Sequence, residues 1–262
     1  GDGDAPHGRR AMTRLASAIC VALAGSLWAA PSSRLSAQTA APRVTETAFP
    51  LEEGMEMRYA ISLPAGYEAS ARDPRPLILA LHPGGRSEYY GSWFMQSIVE
   101  PALRGWEAVI VAPDVPDERW ATEQSEQAVI SLLDDVLSRH SIDRTRILVT
   151  GFSMGGRGTW YMATRHPDLF TGAIVMATGP GEGSLESLAA MPLYIIHSPD
   201  DGVVPYEPVE ETALMLAARG YPVQLMRLPG ASHDMMGDYV IPLRAAGDWM
   251  QEQWQVPAHG SR

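Results

Sequence analysis

The chain contains no lysine and no asparagine, and all 20 of its basic residues are arginine. The absence of lysine excludes Schiff-base, pyridoxal-phosphate and Walker-type phosphate chemistry, because each of these uses the lysine amine. The absence of asparagine excludes N-glycosylation, which modifies that side chain. Cysteine occurs once, at Cys20, so an intramolecular disulfide is excluded as well.

Positive charge is also scarce relative to negative charge. The 31 acidic residues outnumber the arginines and give a formal net charge of −11. Such a surface repels polyanions, so we expect no nucleic-acid partner. The seven histidines are scattered without the spacing of metal ligands, and we expect no metal or cofactor. With 262 residues, 45% of them hydrophobic, the chain is long enough for one α/β catalytic domain.

The N-terminal region has the pattern of a targeting segment. After Met12 come one arginine, an apolar run over 15–30 and small residues up to Ala37. This order is typical of a secretory signal peptide, so we expect a secreted or periplasmic bacterial protein without a membrane span after processing. A transmembrane anchor fits less well, because serine and glycine interrupt the short run. The expected organisation is an upstream extension at 1–11, a signal peptide at 12–37, a linker at 38–49, a catalytic domain at 50–255 and a tail at 256–262.

From about residue 44, short apolar runs alternate with segments of helical length. The first run, 55–64, alternates apolar and polar residues and predicts a half-buried strand. Six continuous apolar runs predict strands that are buried on both faces, as in a parallel sheet: 76–82, 108–113, 146–151, 172–179, 192–197 and 223–230. Helices are expected over 123–140, 207–220 and 242–254. The alternation predicts an α/β fold with a mostly parallel, doubly wound sheet.

The sequence GFSMG at 151–155 places Ser153 between a predicted strand and the helix that follows it. G-x-S-x-G in this context is typical of a nucleophile elbow, a sharp turn that exposes the serine hydroxyl. Such a serine needs a base to take its proton, and the base needs an acid to orient it.

Two later strand ends supply these partners in the order that the elbow requires. The segment SPDDGVVP, after the run 192–197, offers Asp200 and Asp201, and the segment ASHDMM, after the run 223–230, offers His233. Because the carboxyl ends of parallel strands share one edge of the sheet, we expect His233 and one of the two aspartates to reach Ser153.

The same edge also offers backbone N–H groups for an oxyanion hole. Met154 directly follows the serine, and a second donor is expected from Gly84 or Gly85 in the turn after the run 76–82. Aromatic residues close to these positions in the sequence are candidates for substrate contacts: Tyr89, Tyr90, Trp93 and Phe152.

The stretches GFSMGGRGTWYMATRHPDLFTGAIVMATG and YAISLPAGYEASARDPRPLILALHPGG resemble secreted esterases of the α/β-hydrolase superfamily. The likeness is greatest to the feruloyl/acetylxylan esterase and polyhydroxybutyrate depolymerase-like group. It implies a single-domain α/β-hydrolase fold without a large cap domain, and a serine esterase that acts on acyl or aryl esters of a polysaccharide or a polyester.

The resemblance also bears on individual residues. The segment from 197 to 205 resembles the HGxxDxxVP segment of α/β-hydrolases, which implies that Asp201 is the acid and Asp200 a loop cap. The chain departs from the family at Pro83, where a glycine is usual after the histidine. The choice between Gly84 and Gly85 therefore stays open.

Two other functions remain as alternatives. A serine peptidase similar to prolyl oligopeptidase shares the elbow, but such enzymes carry a large extra domain that 262 residues do not accommodate. A non-catalytic binding protein on a hydrolase scaffold would lack a triad member, and none is missing here. We therefore expect a carboxylic ester hydrolase whose substrate is a small or polymer-attached ester, and the sequence leaves its oligomeric state open.

Overall fold

A computed structural model describes residues 42–69, 73–85, 87–181 and 183–255. The predicted upstream extension, signal peptide and C-terminal tail lie outside these residues. Across the part of the chain that is described, no helix combines the length and the apolar character needed to cross a bilayer.

The described residues form one eight-stranded sheet with the order β1-β2-β4-β3-β5-β6-β7-β8. The strands are β1 (Arg43–Pro50), β2 (Glu56–Leu63), β3 (Arg75–Leu81), β4 (Val109–Pro113), β5 (Ile142–Phe152), β6 (Gly172–Met176), β7 (Leu193–His197) and β8 (Val223–Arg227). Strand β2 runs antiparallel to both β1 and β4, whereas all pairs from β4 to β8 are parallel. The prediction of a mostly parallel sheet is confirmed.

Helices cover both faces of the sheet. They are α1 (Tyr90–Phe94), α2 (Glu100–Leu103), α3 (Glu123–Arg139), α4 (Met154–Arg165), α5 (Glu207–Ala218) and α6 (Val240–Gln255). Buried side chains of α3, α4 and α5 share one apolar core with the sheet, and those of α1, α2 and α6 share the other. The strands between these cores are buried on both sides, which explains their continuous apolar runs. The predicted doubly wound α/β fold is therefore confirmed.

Two segments differ from the sequence-based expectation. The linker predicted over 38–49 is wrong in its described part, because Arg43–Pro50 is strand β1 and pairs with β2 along its whole length. Most β1 side chains are exposed, so this edge strand is stabilised by backbone pairing with β2, which leaves little signal in its composition. Helices α1 and α2, joined by the π-helical turn Met95–Val99, were also not predicted. The other domain boundaries stay predictions.

Candidate active site

Ser153 lies at a strained turn between β5 and α4. Its backbone has φ 53° and ψ −113°, a conformation that a non-glycine residue rarely adopts and that costs about 1–3 kcal/mol. The Ser153 N–H donates a hydrogen bond to the Met176 carbonyl at the end of β6, at 3.0 Å. This bond ties the turn to the neighbouring strand and holds the hydroxyl at the carboxyl edge of the sheet.

The two glycines of the motif allow the backbones at this turn to approach closely. A Cβ atom on Gly155 would overlap the Leu81 carbonyl oxygen and would lie 2.7 Å from the His82 carbonyl oxygen. A Cβ atom on Gly151 would overlap the Gly155 backbone. Glycine is needed at both positions because neither backbone can move away without breaking the sheet or the helix.

Three predicted side chains meet at this edge through two hydrogen bonds. The Ser153 Oγ lies 2.8 Å from the His233 Nε2, and the His233 Nδ1 lies 2.7 Å from the Asp201 Oδ2. Asp201 follows β7 and His233 follows β8, so strand order brings together residues that are far apart in sequence. With the Nδ1–H donated to the carboxylate, the Nε2 lone pair of His233 is free to accept the serine proton.

The Asp201 carboxylate is buried and accepts several hydrogen bonds. Its Oδ1 accepts the N–H groups of Val203 and Val204 at 2.8 and 2.9 Å, and its Oδ2 accepts the His233 ring. Burial alone would raise the pKa of the Asp201 carboxyl, but these hydrogen bonds outweigh burial and lower that pKa below its ordinary value. Asp201 is therefore ionised at neutral pH and favours the imidazolium that forms when His233 takes a proton.

Neighbouring polar residues hold the acid loop in place. The Asp200 Oδ2 accepts the Gly230 N–H at 2.6 Å, which links this loop to the segment that carries the histidine. The His197 Nε2–H donates to the Val204 carbonyl at 3.0 Å, and burial lowers the pKa of His197, so its ring stays neutral. Asp200 and His197 thus contact the backbone around the three linked side chains, and neither contacts Ser153.

The predicted oxyanion turn lies against the elbow. Within it, the His82 Nδ1–H donates to the Pro83 carbonyl at 2.6 Å, and the Nε2 accepts the Val115 N–H at 3.0 Å. Burial lowers the pKa of His82, so this neutral tautomer persists at neutral pH. The Trp120 Nε1–H donates to the His82 carbonyl at 2.9 Å. The turn is therefore fixed from two sides, and the roles of Met154, Gly84 and Gly85 as donors stay predictions.

A family model described as the dienelactone hydrolase family matches residues 107–248, more than half of the chain. The chain belongs to the dienelactone hydrolase family. The matched range contains all three hydrogen-bonded side chains and begins after the oxyanion turn.

Individual proteins resemble this family member in sequence or in structure. An Escherichia coli (strain K12) protein assigned as a carboxymethylenebutenolidase is 30% identical over 139 residues, which cover 48% of this chain and 51% of that protein. The chain thus spans about half the length of this curated relative. Poly(3-hydroxyalkanoate) depolymerase C of Paucimonas lemoignei is 42% identical over 53 residues, 20% of this chain and 13% of that protein. The crystal structure of a thermostable esterase superposes with a TM-score of 0.69 at 26% identity, over 80% of this chain and 62% of that one. The predicted resemblance to α/β-hydrolase esterases is confirmed.

Of the four aromatic residues that the sequence suggested as substrate contacts in this dienelactone hydrolase family member, three lie after the oxyanion turn and one is buried beneath the surface. The Tyr90 and Trp93 rings stack with centroids 5.3 Å apart beside the oxyanion turn, and Trp93 is 47% exposed. The Tyr89 N–H donates to Asp114 at 2.7 Å. Phe152 is only 1% exposed, so the prediction that it contacts substrate is corrected: its ring packs edge-on against Tyr239, and its centroid lies 5.5 Å from that of the His233 ring.

Two arginines that the sequence analysis did not single out line the cavity at Ser153. This cavity of about 290 Å³ is bordered by Arg119 from the loop after β4 and by Arg157 from helix α4. Arg157 had a local signal, because it lies in the first turn of the helix that follows the serine. Arg119 had none, because its position depends on how a loop folds over a distant strand.

A buried carboxylate fixes the helix that follows the nucleophile. Glu126 on α3 accepts hydrogen bonds from Tyr161 and Arg165 on α4 and from the adjacent His166, at 2.8–3.0 Å. Burial alone would raise the pKa of Glu126, but the hydrogen bonds from Arg165, His166 and Tyr161 lower it below the ordinary value. The network joins α3 to α4 and so stabilises the helix whose first turn carries the elbow.

Among the described residues, no group of three or more His, Cys, Asp or Glu side chains is arranged to hold a metal ion.

Proposed function

We propose that the protein is a serine carboxylic ester hydrolase that acts through an acyl-enzyme intermediate. The observation that carries this proposal is the unbroken hydrogen-bonded line from Ser153 through His233 to Asp201 at the strained elbow. Family membership supports it, because the matched range includes all three residues.

The reaction proceeds in two halves. His233 takes the proton of the Ser153 hydroxyl as the oxygen attacks the ester carbonyl, and the negative charge that develops is held by the N–H of Met154 and that of Gly84 or Gly85. Collapse of this intermediate breaks the ester C–O bond, and the leaving alcohol takes its proton from His233. Water then attacks the acyl-enzyme with His233 as base, and the second collapse releases the acid and restores Ser153.

We propose an acyl or aryl ester, free or attached to a polysaccharide or polyester, as the substrate. The short segment between β6 and β7 supports an open site, since its described part holds only the short 3₁₀ turn Leu185–Leu188. The depolymerase relative named above supports a polyester, although the match covers a small part of it. The pattern of residues 12–37 supports export, and N-terminal sequencing of the protein recovered outside the cytoplasm tests this.

Active-site labelling tests the proposal directly. We expect a fluorophosphonate probe to label the folded protein, the Ser153→Ala variant to lose the label, and the Ser138→Ala variant, altered at an exposed position on α3, to keep it. Turnover of p-nitrophenyl acetate should fall in parallel to a residual rate of about 10³–10⁴ over water. Absence of label at Ser153 would favour a binding protein. Faster cleavage of dipeptidyl p-nitroanilides than of p-nitrophenyl esters would favour a peptidase.

A further inference from the structure

A separate cavity lies at the edge of the sheet opposite to the edge that carries Ser153. It has a volume of about 690 Å³ and is bordered by α2, by the 3₁₀ turn Arg104–Trp106 and by α6. The turn directly precedes β4, and the Trp254 Nε1–H near the end of α6 donates to the Thr171 carbonyl just before β6, at 2.9 Å. The cavity, called the distal cavity below, therefore lies at the amino ends of the parallel strands.

Two arginines border the distal cavity without a carboxylate partner. Arg104 lies in the 3₁₀ turn and Arg244 on α6, and neither has a carboxylate oxygen within 4.0 Å among the described residues. The Arg244 Nη2–H donates to the Pro101 carbonyl at 3.0 Å, which orders this side chain beside the cavity. An ordered arginine loses less conformational entropy when it binds a ligand. Guanidinium groups bind carboxylates through paired, charge-assisted hydrogen bonds.

Three further polar groups border the distal cavity: the Trp106 indole N–H, the Asp248 carboxylate and the Gln251 amide. Within the described ranges, the one side-chain hydrogen bond made by a residue of this cavity is that of Arg244, so these three groups are free to bind a ligand. The Trp106 ring is fixed, because it packs edge-on against Trp254 with ring centroids 5.1 Å apart. The cavity therefore offers hydrogen-bond donors and acceptors besides the two guanidiniums.

Two glycines shape the distal cavity. Gly247 lets α6 pack closely against α2, because a Cβ atom there would overlap the Leu103 side chain and lie 3.3 Å from the Trp106 Nε1. Gly105 borders the cavity itself, and a Cβ atom there would meet no other atom within 4 Å. The wall beside Gly247 is thus tightly packed, whereas the space beside Gly105 is open to a ligand.

The pattern of donors and acceptors selects a class of ligand. Two guanidiniums match a carboxylate, and the indole N–H and the amide match hydroxyl groups. Asp248 accepts hydroxyl protons but repels a second negative charge. Inorganic phosphate would pair with the arginines and leave Asp248 facing an anion, and a neutral sugar would leave the guanidiniums unpaired. A carboxylate that carries several hydroxyl groups matches both sets.

We propose that the distal cavity binds a sugar acid, a small carboxylate with several hydroxyl groups. The carboxylate binds Arg104 and Arg244, and the hydroxyl groups bind Asp248 and Gln251. The volume of the cavity lies within the range of about 300–1,000 Å³ that is usual for small-molecule sites. The inference goes beyond the proposed ester hydrolysis and does not depend on it, because Ser153 lies at the other edge of the sheet.

Nuclear magnetic resonance titration tests the site with three probes. D-glucuronate carries the charge and the hydroxyl groups, D-glucuronamide carries the hydroxyl groups without the charge, and inorganic phosphate carries charge alone. The indole N–H signal of Trp106, assigned by its loss in Trp106→Phe, reports binding at this cavity. We expect D-glucuronate to shift that signal with a Kd about tenfold or more below those of the two other probes, since it alone pairs with both sets of groups.

Substitutions connect binding to the residues of the cavity. Arg104→Gln and Arg244→Gln should each weaken D-glucuronate binding about tenfold, because each removes a charged hydrogen-bond donor, and Arg244→Lys should restore part of it. Gly105→Leu should block the open space and abolish binding with little change in melting temperature, since its Cβ meets no atom. The matched control is Arg219→Gln, an exposed arginine after α5 on the other face of the sheet, which should leave the Kd unchanged.

Three outcomes would overturn the inference. If D-glucuronate leaves the Trp106 signal unshifted, the distal cavity is not its site. If D-glucuronamide or inorganic phosphate binds as tightly as D-glucuronate, the cavity does not select a sugar acid. If the affinity for D-glucuronate survives both glutamine substitutions, the carboxylate does not bind the two arginines. None of these results bears on labelling at Ser153, so the proposed ester hydrolysis is judged separately.

Discussion

Replacing Asp201 by Asn distinguishes two roles of this carboxylate: orienting the His233 ring and stabilising the loop after β7. The carboxylate accepts the Val203 and Val204 N–H groups with one oxygen and the His233 ring with the other. An amide offers only one acceptor oxygen. If its NH₂ faced the two N–H groups, two buried donors would lose their acceptor, at a cost of about 1–3 kcal/mol each. We therefore expect the NH₂ to face His233.

In that orientation His233 must accept through Nδ1, so its proton moves to Nε2, where it faces Ser153. The imidazole can then no longer act as the base. We expect kcat to fall about 10⁴-fold, or about 5.4 kcal/mol of barrier, while the melting temperature changes little. Turnover of p-nitrophenyl acetate and thermal unfolding of the same preparations measure both effects.

Asp200→Asn is the matched control, because it removes the same charge from the adjacent residue. The Asp200 carboxylate accepts the Gly230 N–H and does not contact His233. We expect the kcat of the Asp200→Asn variant to stay within about tenfold of that of the unaltered protein. Retention of more than a tenth of the activity by Asp201→Asn would refute the assignment of the acid, as would an equal loss in both variants.

Two further predictions concern the elbow and the helix behind it. Gly155→Ala should abolish labelling and lower the melting temperature, since its Cβ would overlap the Leu81 carbonyl, whereas Gly237→Ala, with no atom within 4 Å of the added Cβ, should do neither. For Glu126, burial raises the pKa, but the hydrogen bonds from Arg165, His166 and Tyr161 outweigh it and leave the folded-state pKa below the unfolded value. Its stabilisation is therefore present above about pH 4.3 and is lost as pH falls through the folded-state pKa. The difference in urea midpoint between the unaltered protein and Glu126→Gln should therefore be large at pH 7 and shrink at lower pH. An equal difference at both pH values would contradict this. So would the same pH dependence in the control variant Glu123→Gln, which alters an exposed residue of α3.

The elements that the sequence predicted well are those whose signal is local. The strands β3 to β7 are continuous apolar runs because they are buried between two helical layers. In the sequence, a proline, glycine or histidine marks the end of each run. The elbow is equally local, because its glycines are required by contacts within a few residues and with the adjacent strand end. The edge strand β1 was missed because its stability comes from pairing with β2, and Phe152 was misread because its burial depends on Tyr239, far along the chain.

The same distinction separates the reactive residues from those that line the cavity beside them. Ser153, Asp201 and His233 each follow a strand, and parallel strands end at one edge, so chain order alone predicts that they meet. Arg119 follows β4, but its direction depends on hydrogen bonds that anchor the start of α3 and the buried Trp120. Loop conformations of this kind depend on distant partners, so specificity is less readable from sequence than catalysis. An acyl-enzyme mechanism can therefore be proposed from order and spacing, whereas the residues that line the cavity can be named only from the structure.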